Sequence, residues 1–167
     1  FPTSEADPEY KEWVGKRNDG RNLVKEWLDR STHRKYVWNR KDFLGLGEEA
    51  SVLEAPPSQL LGLFEPSHMK FEADRSKDRA GEPSLLEMTK LALKEMQKSQ
   101  DGYFLLIEAG RIDHAHHASN AHRALVDTVM LSDSVQWVVD NVDLRETLIL
   151  VTADHSHTMT INGYPRR

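Results

Sequence analysis

"YFLLIEA" (residues 103–109) and "TLILVTADH" (residues 147–155) are the two stretches on which the fold turns. Each is a short, almost unbroken apolar run, and such runs suit strands buried on both faces. Between them, residues 119–141 set Leu125, Val129, Ser132, Val135 and Val139 along one side of a long predicted helix. Strand, helix, strand with continuous apolar strands implies a right-handed crossover in a largely parallel sheet. The expected fold class is therefore α/β, a three-layer α/β/α arrangement around that sheet.

Upstream, "PSLLEMTKLALKEMQKSQDG" (residues 83–102) is the clearest helix. Ser84 followed by Glu87 has the form of a capping box, and Asp101-Gly102 punctuates the far end. Leu85, Met88, Leu91, Ala92 and Met96 recur at helical spacing, and core packing is the ordinary use of such a stripe. Further back, "DGRNLVKEWLDRS" (19–31) carries Leu23, Val24, Trp27 and Leu28 as an amphipathic helix. "RKYVWNR" (34–40) and "LLGLF" (60–64) read as short strands, the second followed by Pro66. Residues 70–81 are densely charged and read as an exposed loop.

The whole chain has 167 residues, enough for one domain with a single sizeable core. A net charge of -5 argues against nucleic acid as a partner, because phosphate neutralisation needs a basic face. No apolar run approaches the roughly 20 residues needed to span a bilayer. Cysteine is absent, which excludes disulfide and thiolate chemistry within these residues. Phe1 in place of methionine, and "INGYPRR" (161–167) stopping in a strand-and-turn pattern, predict a segment of a larger protein.

Five of the eight histidines fall just beyond the two apolar runs. In open α/β sheets, ligands bind beyond the carboxyl ends of the strands. Glu108 closes the first run, and Asp113 and His117 follow four residues apart. On a helical turn an i, i+4 pair shares a side and can hold one metal ion, which favours His117 over His114 and His116. Asp154 and His155 end the second run; in a regular strand they would face opposite ways, but a turn of the chain can aim both at one ion. His157 has no partner at a diagnostic spacing. This oxygen and nitrogen set suits zinc, with magnesium favoured where only carboxylate is offered. Two clusters on nearby strands could form a two-metal site suited to phosphoryl transfer. An isolated Asp/His pair is more often a surface pair, so the weight rests on two clusters, each at a strand end.

"IEAGRIDHAHH" and "LVTADHSH" resemble the metal-binding motifs of animal-type alkaline phosphatases. "DGRNLVKEWL", "YVWNR", "LLGLFEPSHMKFE", "PSLLEMTKLAL" and "NGYPRR" follow in the family's order, so the resemblance covers nearly the whole chain. It implies that residues 1–167 are an internal part of a catalytic domain whose N- and C-terminal parts lie elsewhere. It implies that Asp113 and His117 bind one catalytic zinc, Asp154 and His155 the second, and Glu108 a magnesium. It implies a calcium site at the Phe64 carbonyl, Glu65 and Glu82; relatives usually have aspartate at the last position, and the charged loop at 76–82 is longer than the family's usual form. Tyr164 matches a tyrosine that reaches across the dimer interface.

The function implied is hydrolysis of phosphate monoesters by a homodimer, through two zinc ions, one magnesium and a phosphoserine intermediate. The family's Asp-Ser-Ala nucleophile context is not present. Ser134 in "LSDSVQ" falls mid-helix and is rejected as a nucleophile. The shared aspartate, the phosphate-binding arginine and the last zinc histidine are also outside these residues, so the segment alone is expected to be inactive. The resemblance implies a parent that is either secreted or held at the cell surface by a lipid anchor, the anchor being expected outside these residues. The competing readings are a non-catalytic binding protein and another metal hydrolase of the superfamily, a phosphodiesterase or sulfatase.

Overall fold

A computed structural model describes residues 8–9, 17–48, 59–160 and 163. Among these, helix α1 is Leu23–Leu28, strand β1 is Arg34–Val37, helix α2 is Arg40–Glu48 and strand β2 is Gln59–Gly62. A 3₁₀ turn follows at Arg75–Lys77, then α3 at Leu85–Met96, α4 at Arg111–His117 and α5 at Ala121–Asn141. Parallel strands and helices make the chain α/β. Tyr164 lies outside the described residues.

β1 and β2 pair in parallel, with Arg34 opposite Gln59 and Val37 opposite Gly62. Val37, Phe43 and Phe64 form the buried core beside this pair, with Leu60, Met69, Met88 and Leu91 packed against them. The Phe43 and Phe64 rings meet edge to face, 5.6 Å between centroids, a favoured aromatic geometry. Gly62 makes room for that ring: a Cβ there would sit 2.8 Å from the Phe64 edge. α3 and α4 both pack on α5. The small residues Ala115, Ala124 and Ser134 are buried, and they let the helices approach closely.

Local sequence signals correspond to local structure. Ser84 Oγ accepts the Glu87 N–H at 3.1 Å while a Glu87 carboxylate oxygen accepts the Ser84 N–H at 2.9 Å, closing the capping box. Asn22 caps α1 and Asn120 caps α5. Ser134 is buried within α5 and donates to the Met130 carbonyl, as its rejection as a nucleophile requires.

Two expectations, at 34–40 and 70–81, are corrected, and two others take a different form among the described residues. Residues 103–109 and 147–155 join no sheet among the described residues; Phe104 is 86% and Leu148 82% exposed. A strand buried on both faces needs neighbours on both sides, and among the described residues β1 and β2 pair only with each other. The run at 34–40 is strand only to Val37, because Asn39 caps α2: its Oδ1 accepts the Asp42 N–H at 2.9 Å. The side of α5 that carries Leu125 and Val129 is exposed at those residues, while Ala124 and Ser134 are buried on its packed face. The loop at 70–81 is largely half-buried, since its charges pair inward: Arg75 with Glu72, and Asp74 with Arg123, both at 2.7 Å.

Candidate metal centres

α4 is the platform of the first site. Its Ala115 is fully buried against the rest of the fold, which turns the acid and imidazole side chains toward the surface. Ser119, at φ 51°, takes the left-handed conformation that ends α4 and starts the turn into α5. Arg111 ties the helix to the charged loop: its guanidinium lies 3.7 Å from the centre of the Phe71 ring, and that of Arg123 lies at 4.8 Å.

Three imidazoles converge on one carboxylate oxygen. Asp113 Oδ1 lies 2.5 Å from His157 Nε2 and 3.5 Å from both His117 Nε2 and His155 Nε2. The hydrogen bond from His157, reinforced by the nearby imidazoles, holds the Asp113 carboxyl below its usual range. The His116 and His157 rings stack at 4.9 Å. His114 turns elsewhere, against His68 at 4.3 Å between ring centroids. Burial, and then the His68 ring, push the His114 imidazole down.

The site residues expected from sequence thus fall into two groups. His117 and His155 each reach Asp113, and the mutually close set is Asp113, His155 and His157. Asp154 is adjacent, 3.7 Å from His155 Nε2, but its side chain is 88% exposed. Glu108 belongs to neither convergent set among the described residues; its Oε1 lies against Gly110 at the start of α4. His157, which has no partner at a diagnostic spacing in the sequence, is the nearest imidazole to Asp113. The signal for it was His155-Ser156-His157: in extended chain, residues i and i+2 share a side.

A second set lies between β2 and α3. Glu65, Asp78 and Glu82 each bring a carboxylate oxygen within 4.8 Å of the others. Glu82 is 1% exposed. The Lys70 N–H donates to its Oε1 at 2.7 Å, while Oε2 is buried with no hydrogen-bond partner. Burial, then the neighbouring Glu65 and Asp78 carboxylates, push the Glu82 carboxyl up to about 8 against the opposing Lys70 N–H. Phe64, buried at the preceding position, holds the strand end on the core. Asp78 was not read from sequence: it stands in an irregular loop, where periodicity gives no sign of direction.

Each set can hold a metal ion. The first offers nitrogen and oxygen donors, a combination that suits zinc. The second offers oxygen alone, which suits a hard cation, and its orphaned buried oxygen fits that use. The alkaline phosphatase family model matches residues 1–167. The chain belongs to the alkaline phosphatase family. It is 42% identical to the membrane-bound alkaline phosphatase of Bombyx mori over its full length, covering 29% of that protein. The alkaline phosphatase of Gadus morhua is 40% identical, again over all of this chain and 34% of the relative. The tissue-nonspecific isozyme of Gallus gallus is 41% identical, with 32% of it covered. The chain therefore spans about a third of the length of these alkaline phosphatases. None of its described helices is long and apolar enough to cross a membrane.

Proposed function

We propose that residues 1–167 are part of the catalytic domain of a metal-dependent phosphomonoesterase, with the remaining parts of that domain outside them. The observation that carries the reading is the meeting of two sequence-distant clusters, from residues 113–117 and 155–157, at one carboxylate of an alkaline phosphatase family chain. Asp113 and His117 would hold one zinc ion, Asp154 and His155 the second, and Glu108 a magnesium ion. Bound there, the metals would polarise the phosphate ester and stabilise the leaving oxygen. The chain's own part is to fix the donors: α4 sets the spacing of Asp113 and His117, and His157 orients the Asp113 carboxylate. The serine that would form a phosphoserine intermediate lies outside residues 1–167, so the segment alone is inactive in this reading.

The apolar runs at 103–109 and 147–155 are then central strands of a three-layer α/β/α domain, flanked by strands from the rest of the parent. Their exposed alternate residues, Phe104, Leu106, Leu148 and Leu150, support that placement. Phe64, Glu65 and Glu82 form a calcium site in this reading. The parent acts as a homodimer at the cell surface, with Tyr164 at the interface and a lipid anchor beyond these residues. The membrane-bound description of the Bombyx mori relative accords with that location.

The test is hydrolysis of an aryl phosphate monoester by the full-length parent. Asp154→Ala and His117→Ala should each lower turnover more than about 100-fold, because each removes a direct metal donor. Near-normal rates in both variants would refute the ligand assignment. Preference for a diester over the monoester would refute the substrate class.

A further inference from the structure

We propose that Asp78 is a direct ligand, beside Glu65 and Glu82, of a calcium-type cation, so that the charged loop closes the site with a carboxylate of its own. The proposal rests on the reading of Glu65 and Glu82 as a calcium site; the assignment of Asp78 and its loop is the new element.

Geometry comes first. One oxygen from each of Glu65, Asp78 and Glu82 lies within 4.8 Å of the other two. Calcium takes oxygen ligands at about 2.3–2.6 Å, so two oxygens on opposite sides of one ion stand roughly 4.6–5.2 Å apart. All three carboxylates can therefore reach a common ion with little movement. Magnesium, at about 2.0–2.1 Å and with strict octahedral demands, would need the set drawn closer. Zinc favours nitrogen or sulfur, and this set offers neither.

Burial supplies the independent sign of a ligand. Glu82 is 1% exposed, and the backbone fixes only its Oε1, leaving Oε2 enclosed with no hydrogen bond. A buried carboxylate oxygen without a donor is costly, and a cation relieves that cost. The Glu65 side chain is also 1% exposed, with Lys70 Nζ 3.7 Å from its Oε1. That ammonium also pairs with Glu9 at 2.9 Å. Lys70 thus shares one positive charge between Glu65 and Glu9, beside a set of three carboxylates.

The loop holds Asp78 in position from both sides. Before it, the 3₁₀ turn at Arg75–Lys77 is anchored by Arg75 to Glu72 and by Asp74 to Arg123, and the Asp78 N–H closes the turn on the Arg75 carbonyl. After it, the Ala80 N–H donates to Asp78 Oδ1 at 3.2 Å. The Gly81 carbonyl accepts the Arg40 N–H at 2.7 Å, binding the loop to the start of α2. Gly81 sits at φ +78°, and a Cβ there would approach Arg40 Cβ to 3.2 Å, so this close passage suits glycine. Side-chain and backbone anchors on both sides thus deliver the Asp78 carboxylate to the two buried glutamates.

The experiment uses the full-length protein, stripped of divalent cations and titrated with calcium chloride. Binding is followed by calorimetry and by the rise in unfolding temperature. Asp78→Asn should weaken calcium about 10-fold or more, and Asp78→Glu should recover part of that loss, because affinity follows the charge and number of ligands. Glu82→Gln should remove the calcium-dependent rise altogether. A single cooperative cation-free unfolding transition would show that each variant is folded; should Asp78→Asn not fold, Asp78→Ser takes its place. Wild-type affinity in the Asp78 variants, with binding lost in Glu82→Gln, would overturn the role of Asp78 and leave the site standing. No calcium binding by the unaltered protein would overturn the site and the proposal together.

Discussion

The two candidate centres differ most in how much water they keep. Glu65, Asp78 and Glu82 are drawn inward, and Glu82 is almost wholly enclosed. The histidine centre is open: the His117 side chain is 69% exposed, that of His155 51% and that of Asp113 36%. Open donors can be satisfied by water when no metal is bound, so they cost the fold little. Enclosed carboxylates cannot, so their charge is a matter for the fold itself. On the proposed function, the acid centre would belong to stability and the histidine centre to chemistry, a division that experiment can break.

The largest effect expected concerns Glu82 in cation-free protein. Its carboxyl is raised from 4.5 to about 8 in the folded state. Between those values the folded protein keeps a proton that the unfolded chain has released. Stability therefore falls as pH rises through that window and levels off above it. At about 1.4 kcal/mol per unit, the full loss is on the order of 5 kcal/mol. Glu82→Gln has no proton to lose at this position, so its stability should decline far less between pH 5 and pH 9. Urea unfolding with chelator present, at both pH values, measures the difference. Parallel pH profiles for the two proteins would remove the distinction between the centres.

The converse holds at Asp113. Its carboxyl is held low by His157 but remains partly open to solvent, where such a pair adds little to stability. Asp113→Asn should leave the cation-free unfolding midpoint of the parent unchanged while lowering phosphomonoesterase turnover about 100-fold. A shifted midpoint would mean that the histidine centre also holds the fold together.

How far the sequence could be read follows the range of each interaction. The capping box at Ser84 and Glu87 is three residues of local chemistry, and it was legible in full. α2 was not, since Gly45 and Gly47 weaken its helical signal and its start depends on the Asn39 cap after a strand. The apolar runs at 103–109 and 147–155 announce burial, but their neighbours are not among the described residues. The i, i+4 spacing of Asp113 and His117 was readable because α4 is regular. Asp78 was not, because a loop held by tertiary ion pairs has no period from which to infer direction.

His157 gives the smallest expected effect and the sharpest division of roles. It hydrogen-bonds Asp113 Oδ1 at 2.5 Å and packs flat against His116. A group that orients a metal-binding carboxylate changes affinity for the metal more than the chemistry the metal performs. His157→Ala in the full-length parent should therefore weaken zinc about 10-fold. Turnover at saturating zinc should return close to that of the unaltered enzyme. His157→Gln, which keeps a donor for Asp113, should restore part of the affinity. The contrast with His117→Ala is decisive, since excess zinc should not restore activity once a direct donor is gone. If saturating zinc fails for His157→Ala as well, His157 is itself a donor, and the open centre gathers one more imidazole than its spacing in sequence announced.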